Sequence, residues 1–160
     1  MRHIQLCTGL LVRDGSLLLV RGRYADEAKP LWTLPGGRQE AGETIAQAVV
    51  REFKEETSLE VTVGELAYVA ESFDDRHGWH VINVAFFVSE REPAVTPRPA
   101  DPKIVEARFV PADSAAAVLA ADVLRIPVAR ALSGAPRPGY FAFRSADIVV
   151  PFFGRNSDDG

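Results

Sequence analysis

Cysteine is nearly missing from this chain: Cys7 stands alone among 160 residues, so no disulfide can close within it. That count suits a reducing compartment. Long hydrophobic runs are missing as well. The first apolar stretch, Ile4 to Val12, is broken by Gln5 and Thr8 and stops at Arg13–Asp14. It is far too short to span a bilayer, and no small-residue cleavage pattern follows it. The expectation is a soluble, cytoplasmic protein with no membrane contact. Basic charge is scarce too, with 18 Lys and Arg against 22 Asp and Glu and a net charge of -4. That balance weighs against stable nucleic-acid binding, which needs a basic surface. The three histidines lack the spacing of a zinc site.

What remains is a chain that is 47% hydrophobic, enough for one compact domain over residues 1–160 with a real core. It contains no internal repeat and no linker long enough to divide two domains. "LLVRDGSLLLV" reads as two strands joined by a tight turn at Asp14–Gly15. From Gly22 to Trp32 the pattern breaks up around charges and Pro30, which predicts a long loop. In "TLPGG" Pro35 stops regular structure, and Gly36–Gly37 open backbone angles closed to other residues. Thr44 is a natural N-cap with Gln47 three residues on, so a helix follows. Its expected apolar stripe is Ala46, Val49, Val50 and Phe53. Strand-like runs come next at Val61–Val63, Leu66–Ser72 and Trp79–Ser89, with the polar "DDRHG" turn between the last two. Four prolines make Arg91 to Lys103 irregular. "VEARFV" is a further strand, Pro111 to Leu119 a short helix, and Val123 to Leu132 a helix interrupted or bent at Pro127. The tail over 136–160 shows no clear pattern. Strands mixed with two or three helices predict an α/β (α+β) fold with a mixed sheet.

Glu52, Glu55 and Glu56 pose the main question. At about 100° per residue they share an arc of roughly 100°, beside the apolar stripe rather than opposite it. Three carboxylates on one turn repel one another, and Arg51 is the only cation placed to pair with them, at i,i+4 to Glu55. A solvated charged face is the ordinary reading of glutamates on a helix. The alternative is a hard divalent cation, whose charge would offset theirs and whose oxygen ligands they would supply.

The surrounding spacing decides between these readings. Gly37, Glu43, Arg51, Glu52, Phe53, Glu55, Glu56 and Leu59 match the box of the Nudix hydrolases, with Ser58 where that family has glycine. The resemblance spans Thr8 to about Val110. It implies a mixed sheet sandwiched between helices and a MutT-like enzyme that hydrolyses a pyrophosphate bond with Mg²⁺ or Mn²⁺. By matched position, Glu52, Glu55, Glu56 and the Gly37 carbonyl are expected as metal ligands. Arg51 and Glu43 are expected to orient the acidic side chains, as outer-shell partners do. The general base is expected to be Glu52 or a later acid, Asp101 or Glu106. For phosphate contacts the candidates are Arg21, Arg23 and Arg38, since guanidinium grips phosphate through two nitrogens. Trp79 is a candidate for contacting base or sugar, against an ordinary cross-strand aromatic pair. Ser58 predicts a slightly altered helix exit.

Substrate signals are mostly negative, and "DRHGWHVINVAFFV" tips the expectation toward a nucleoside di- or triphosphate. The alternatives are ADP-ribose or a nucleotide sugar, a dinucleoside polyphosphate, and a silent nucleotide-binding regulator. An isoprenoid-diphosphate isomerase shares the scaffold but uses a cysteine for which Cys7 is badly placed. A homodimer is the expected assembly.

Overall fold

The computed structural model describes residues 1–24, 27–119 and 121–145. Its elements run β1 (Arg2–Arg13), β2 (Ser16–Gly22), β3 (Leu31–Thr33), β4 (Gly36–Arg38), α1 (Ile45–Thr57), β5 (Val61–Asp74) and β6 (Trp79–Glu90). They continue with β7 (Ile104–Pro111), α2 (Ala112–Val118), α3 (Asp122–Leu132) and β8 (Gly139–Ser145). The eight described strands lie in the order β3-β2-β1-β6-β5-β8, with β4 paired to β1 and β7 to β2. The β1–β6 and β5–β8 pairs are parallel and the others antiparallel. The expected mixed α+β sheet is therefore present.

The predicted hairpin forms as the sequence demands. Asp14 and Gly15 both take positive φ, which lets Arg13 pair directly with Ser16. Two expected loops contain short strands instead. Leu31–Thr33 pairs with Val20–Gly22, and Gly36–Arg38 pairs with Leu6–Thr8. Strands of three residues carry too little alternation to be seen in sequence.

Helix α1 starts as expected, with reciprocal Thr44–Gln47 capping bonds. Its buried face keeps Val49 and Phe53 of the predicted stripe but is shifted toward Ala48, Glu56 and Thr57. Ala48, Val49, Phe53, Glu56 and Thr57 are buried, whereas Val50 is 38% exposed. Phe53 and Val49 pack closely on Gly9, where an added Cβ would stand 2.5 Å from the Phe53 ring. Burying Phe53 there contributes on the order of 2 kcal/mol. It also carries Glu56 into the interface between helix and sheet.

Each sheet face has its own core. Cys7, Leu11 and Leu18 pack beneath α1. Leu10, Leu17, Leu19 and Tyr68 pack beneath α2 and α3. Helix α3 is one continuous element with Pro127 inside it on the buried side, where an interruption or bend was expected; the ring removes one intrahelical N–H donor there. Part of the unpatterned tail proves to be β8, paired in register with Tyr68–Asp74. "IVVPFF" lies outside the described residues. Among those described, no helix is long and apolar enough to cross a membrane.

Candidate active site

The acidic turn of α1 meets the sheet at β4. Glu56 is buried, and the Gly36 backbone N–H donates to its Oε1 at 2.7 Å. Burial pushes the Glu56 carboxyl up to about 8, with the charges of Glu52, Asp101 and Glu55 adding to the effect. Glu52 is raised as well, chiefly by burial and against the pull of Arg51. Gly37 makes room for it: a Cβ there would stand 2.6 Å from Glu52 Cδ. A side chain at this point would displace the Glu52 carboxylate.

Arg51 ties the group together. Its Nε and Nη2 donate to the two carboxylate oxygens of Glu43 at 3.1 and 2.6 Å. Nη1 donates to Glu52 at 2.9 Å and to Glu55 at 3.4 Å, and Nη2 also reaches the Arg38 carbonyl at 3.0 Å. These bonds hold the Glu43 carboxyl below the usual carboxylate range, helped by the Glu40 N–H, and raise Arg51 further. One planar cation thus fixes three acids and β4 through a donor geometry that lysine lacks. The pairing expected from sequence between Arg51 and Glu43 is present.

The proline-rich segment after β6 closes the other end of the helix. Arg98 N–H donates to the Thr57 carbonyl at 2.8 Å, and Ala100 and Asp101 N–H donate to that of Glu55 at 3.2 and 2.8 Å. Carbonyls left open at a helix end gain partners in this way. Asp101 comes close enough for its charge to act on Glu52 and Glu56. Glu106 is engaged elsewhere, paired with Arg21 at 3.1 Å and Arg108 at 3.6 Å. Of the two later acids, Asp101 is the one beside the glutamates.

Helix α1 exits through Ser58 at φ 62°, with its N–H on the Lys54 carbonyl at 3.0 Å. The left-handed turn that glycine favours is therefore kept, contrary to the altered exit expected. Ser58 Oγ helps by donating to the Arg98 carbonyl at 2.6 Å.

The expected substrate contacts scatter. Arg21 and Arg23 lie at and just beyond the end of β2, and the exposed Arg23 donates its N–H to the Lys103 carbonyl at 2.9 Å. Arg38 lies on β4 beside Gly37. Trp79 begins β6, packs with Ile4, Leu6 and Val81, and stacks on His77 with ring centroids 5.2 Å apart. His77, in the turn, is one of its aromatic neighbours. Sequence reasoning missed Tyr24, whose hydroxyl is 3.2 Å from Thr33 Oγ1 and whose phenol is raised by burial, with Glu56 and Glu52 adding to the rise. It also missed Trp32 and Arg108; the Glu106–Arg108 spacing on one strand face was the available signal.

The residues present fit a hard divalent cation. Glu52, Glu55 and Glu56 offer only oxygen donors within one turn, and their mutual repulsion is what a cation would offset. Among the described residues no three His, Cys, Asp or Glu side chains stand close enough together to hold an ion as they are placed. Mg²⁺ keeps waters and shares its shell with phosphates, so an open arrangement suits it.

Comparison with solved structures first places the fold. A NUDIX hydrolase from Nitrosomonas europaea matches with TM-score 0.68 at 22% identity, over 89% of this chain and 80% of that one. A MutT NUDIX hydrolase from Burkholderia pseudomallei matches with TM-score 0.66 at 26% identity, over 81% and 98%. The NUDIX domain family profile then matches residues 3–131, and the chain belongs to that family. Among its relatives, the CTP pyrophosphohydrolase of Escherichia coli is 36% identical over 88 residues, 51% of this chain. The ADP-ribose pyrophosphatase of Methanocaldococcus jannaschii is 41% identical over 80 residues, 50% of this chain. The matches span 64% and 47% of those relatives' own lengths.

Proposed function

We propose that residues 1–160 act as one metal-dependent pyrophosphohydrolase domain that cleaves a nucleoside di- or triphosphate. The observation carrying this reading is the acidic corner itself: Glu56 seated on the Gly36 N–H, Glu52 against Gly37, and Arg51 bonded to Glu52. Glu52, Glu55 and Glu56 would hold Mg²⁺ or Mn²⁺, which when bound screens the diphosphate and makes a water more acidic. Arg51 and Glu43 keep the carboxylates oriented. Glu52 or Asp101 takes the proton of the attacking water, both being carboxylates of this corner. Relatives named CTP pyrophosphohydrolase and 8-oxo-dGTP diphosphatase support a triphosphate substrate. The ADP-ribose pyrophosphatase match favours ADP-ribose as the second reading.

A panel of nucleoside triphosphates, diphosphates, sugar nucleotides, ADP-ribose and dinucleoside polyphosphates, each with Mg²⁺ or Mn²⁺, tests this. Release of phosphate or pyrophosphate from a simple nucleotide is expected, abolished by chelation. Replacing Glu55 or Glu56 with Gln should lower it by roughly 100-fold or more, and Glu52→Gln beside Asp101→Asn separates the two bases. Turnover confined to ADP-ribose would install the second reading. Binding without turnover over the whole panel would make the protein a nucleotide-binding regulator.

A further inference from the structure

The three histidines have no zinc-site spacing along the chain, yet the pairing of β1 with β6 brings two of them face to face. His3 and His80 are direct partners in that parallel register, and their Nδ1 atoms stand 3.1 Å apart. The rings meet edge to face at 64°, so the two nitrogens point into one gap. Two nitrogens that share an ion at about 2.0–2.1 Å lie roughly 2.9–3.4 Å from each other, for ligand angles between square and tetrahedral. The observed separation falls inside that range. His3 is exposed and His80 half-buried, so an ion can enter from solvent.

Neighbours on β5 and β8 hold His80 in one orientation. Glu71 Oε2 stands 2.6 Å from its Nε2, and Phe73 stacks on its ring with centroids 4.2 Å apart. Tyr140 donates its hydroxyl to the other Glu71 oxygen. These two bonds hold the Glu71 carboxyl below the usual carboxylate range, so it acts as an acceptor only. Nε2 of His80 therefore carries a proton, which in the neutral ring leaves the Nδ1 lone pair aimed at His3. A histidine that ligates a metal commonly donates its other N–H to a carboxylate in this way. Glu71 lies behind the ring, so the side chains supply two ligands and water the rest.

We propose that His3 and His80 form a binding site for a borderline divalent transition-metal ion, Zn²⁺ above all, which staples the first strand to β6. Its donors are imidazole nitrogens, whereas the acidic corner offers oxygen alone, so Mg²⁺ passes it over. The two sites are separate. Cys7, which pairs with Gly37 of the acidic corner, lies four residues on from His3, about 13 Å along β1. The staple acts on the hold of β1 and leaves hydrolysis to the glutamates.

Titration of the whole chain with Zn²⁺, with excess Mg²⁺ present to occupy the acidic corner, tests this through the imidazole ¹⁵N resonances. One equivalent of Zn²⁺ should move the Nδ1 signals of both His3 and His80. The ring signals of His77, already bonded to Asp74, should stay in place. Calorimetry should show a site that His3→Gln and His80→Gln each weaken by about 100-fold or more, and that Glu71→Gln weakens by roughly 10- to 100-fold. His77→Gln should leave it unchanged. Zn²⁺ should also raise the melting temperature of the wild type, and that rise should vanish in His80→Gln. Unmoved His3 and His80 signals in the wild type would overturn the site. So would loss of binding in His3→Gln but not in His80→Gln, which would give the ion to His3 alone.

Discussion

Gly37 and Glu52 are packed so closely that one added carbon on the glycine would stand 2.6 Å from the carboxylate carbon. The carboxylate is the far end of a flexible side chain, so it can swing away at small cost to the fold. Gly37→Ala should therefore keep its melting temperature within a few degrees while metal affinity falls roughly 10- to 100-fold. Binding of Mn²⁺ followed by paramagnetic resonance, beside a thermal melt, would show both effects. Unchanged affinity would remove Glu52 from the ligand set.

Arg51 makes two parallel bonds to Glu43 and a third to Glu52. Arg51→Lys keeps the charge but loses the fork. A 10- to 100-fold drop in metal affinity or turnover is expected, with the chain still folded. Because Glu43 is held below its ordinary range, its pairing stabilises the protein above the unfolded pKa. That contribution disappears as pH falls through the folded value. Acid titration of Arg51→Lys should show a shallower loss of stability than the wild type.

Glu56 has the opposite sign. Its carboxyl is raised from 4.5 to about 8, so the folded chain keeps a proton that the unfolded chain has released. Metal-free protein should lose stability as pH rises across that window, at up to about 1.4 kcal/mol per pH unit. Glu56→Gln should flatten the slope in urea unfolding measured across the same pH range with EDTA present. An identical slope in the variant would assign the titration to another group.

Ser58 holds a left-handed conformation that costs a non-glycine residue about 1 kcal/mol. Ser58→Gly removes that cost and also the Oγ bond to Arg98. A net gain of up to about 1 kcal/mol is expected from urea unfolding. A loss would mean that the Arg98 bond outweighs the strain.

Much of this was legible in the sequence, for reasons that differ by element. Asp14–Gly15 and Thr44–Gln47 are local devices whose bonds lie within a few residues, so their outcome follows from the residues alone. The Glu43–Arg51 pair was legible only through the resemblance, by matched position, with Glu43 just ahead of α1 and Arg51 in its middle. Of the α1 stripe, Val49 and Phe53 are buried as expected, while Val50 lies 38% exposed and Glu56 is buried, a shift fixed by the sheet beneath the helix that its own periodicity does not carry. Strand β8 was unreadable for the same reason: its parallel partner is β5, with a helix-containing connection between them. Arg21, Arg108 and Glu106 meet around Trp32 from three strands, and of that group only the Glu106–Arg108 spacing on β7 is visible along the chain.

The segment from Arg98 to Asp101 is fastened to the end of α1 through its own main chain, by three N–H groups and the Arg98 carbonyl. Any residue other than proline at 98, 100 or 101 can supply the same attachment. The side chain delivered beside the glutamates at position 101 can therefore be exchanged without loosening the helix. Acid strength at this corner is open to revision by a single codon while its scaffold stays put.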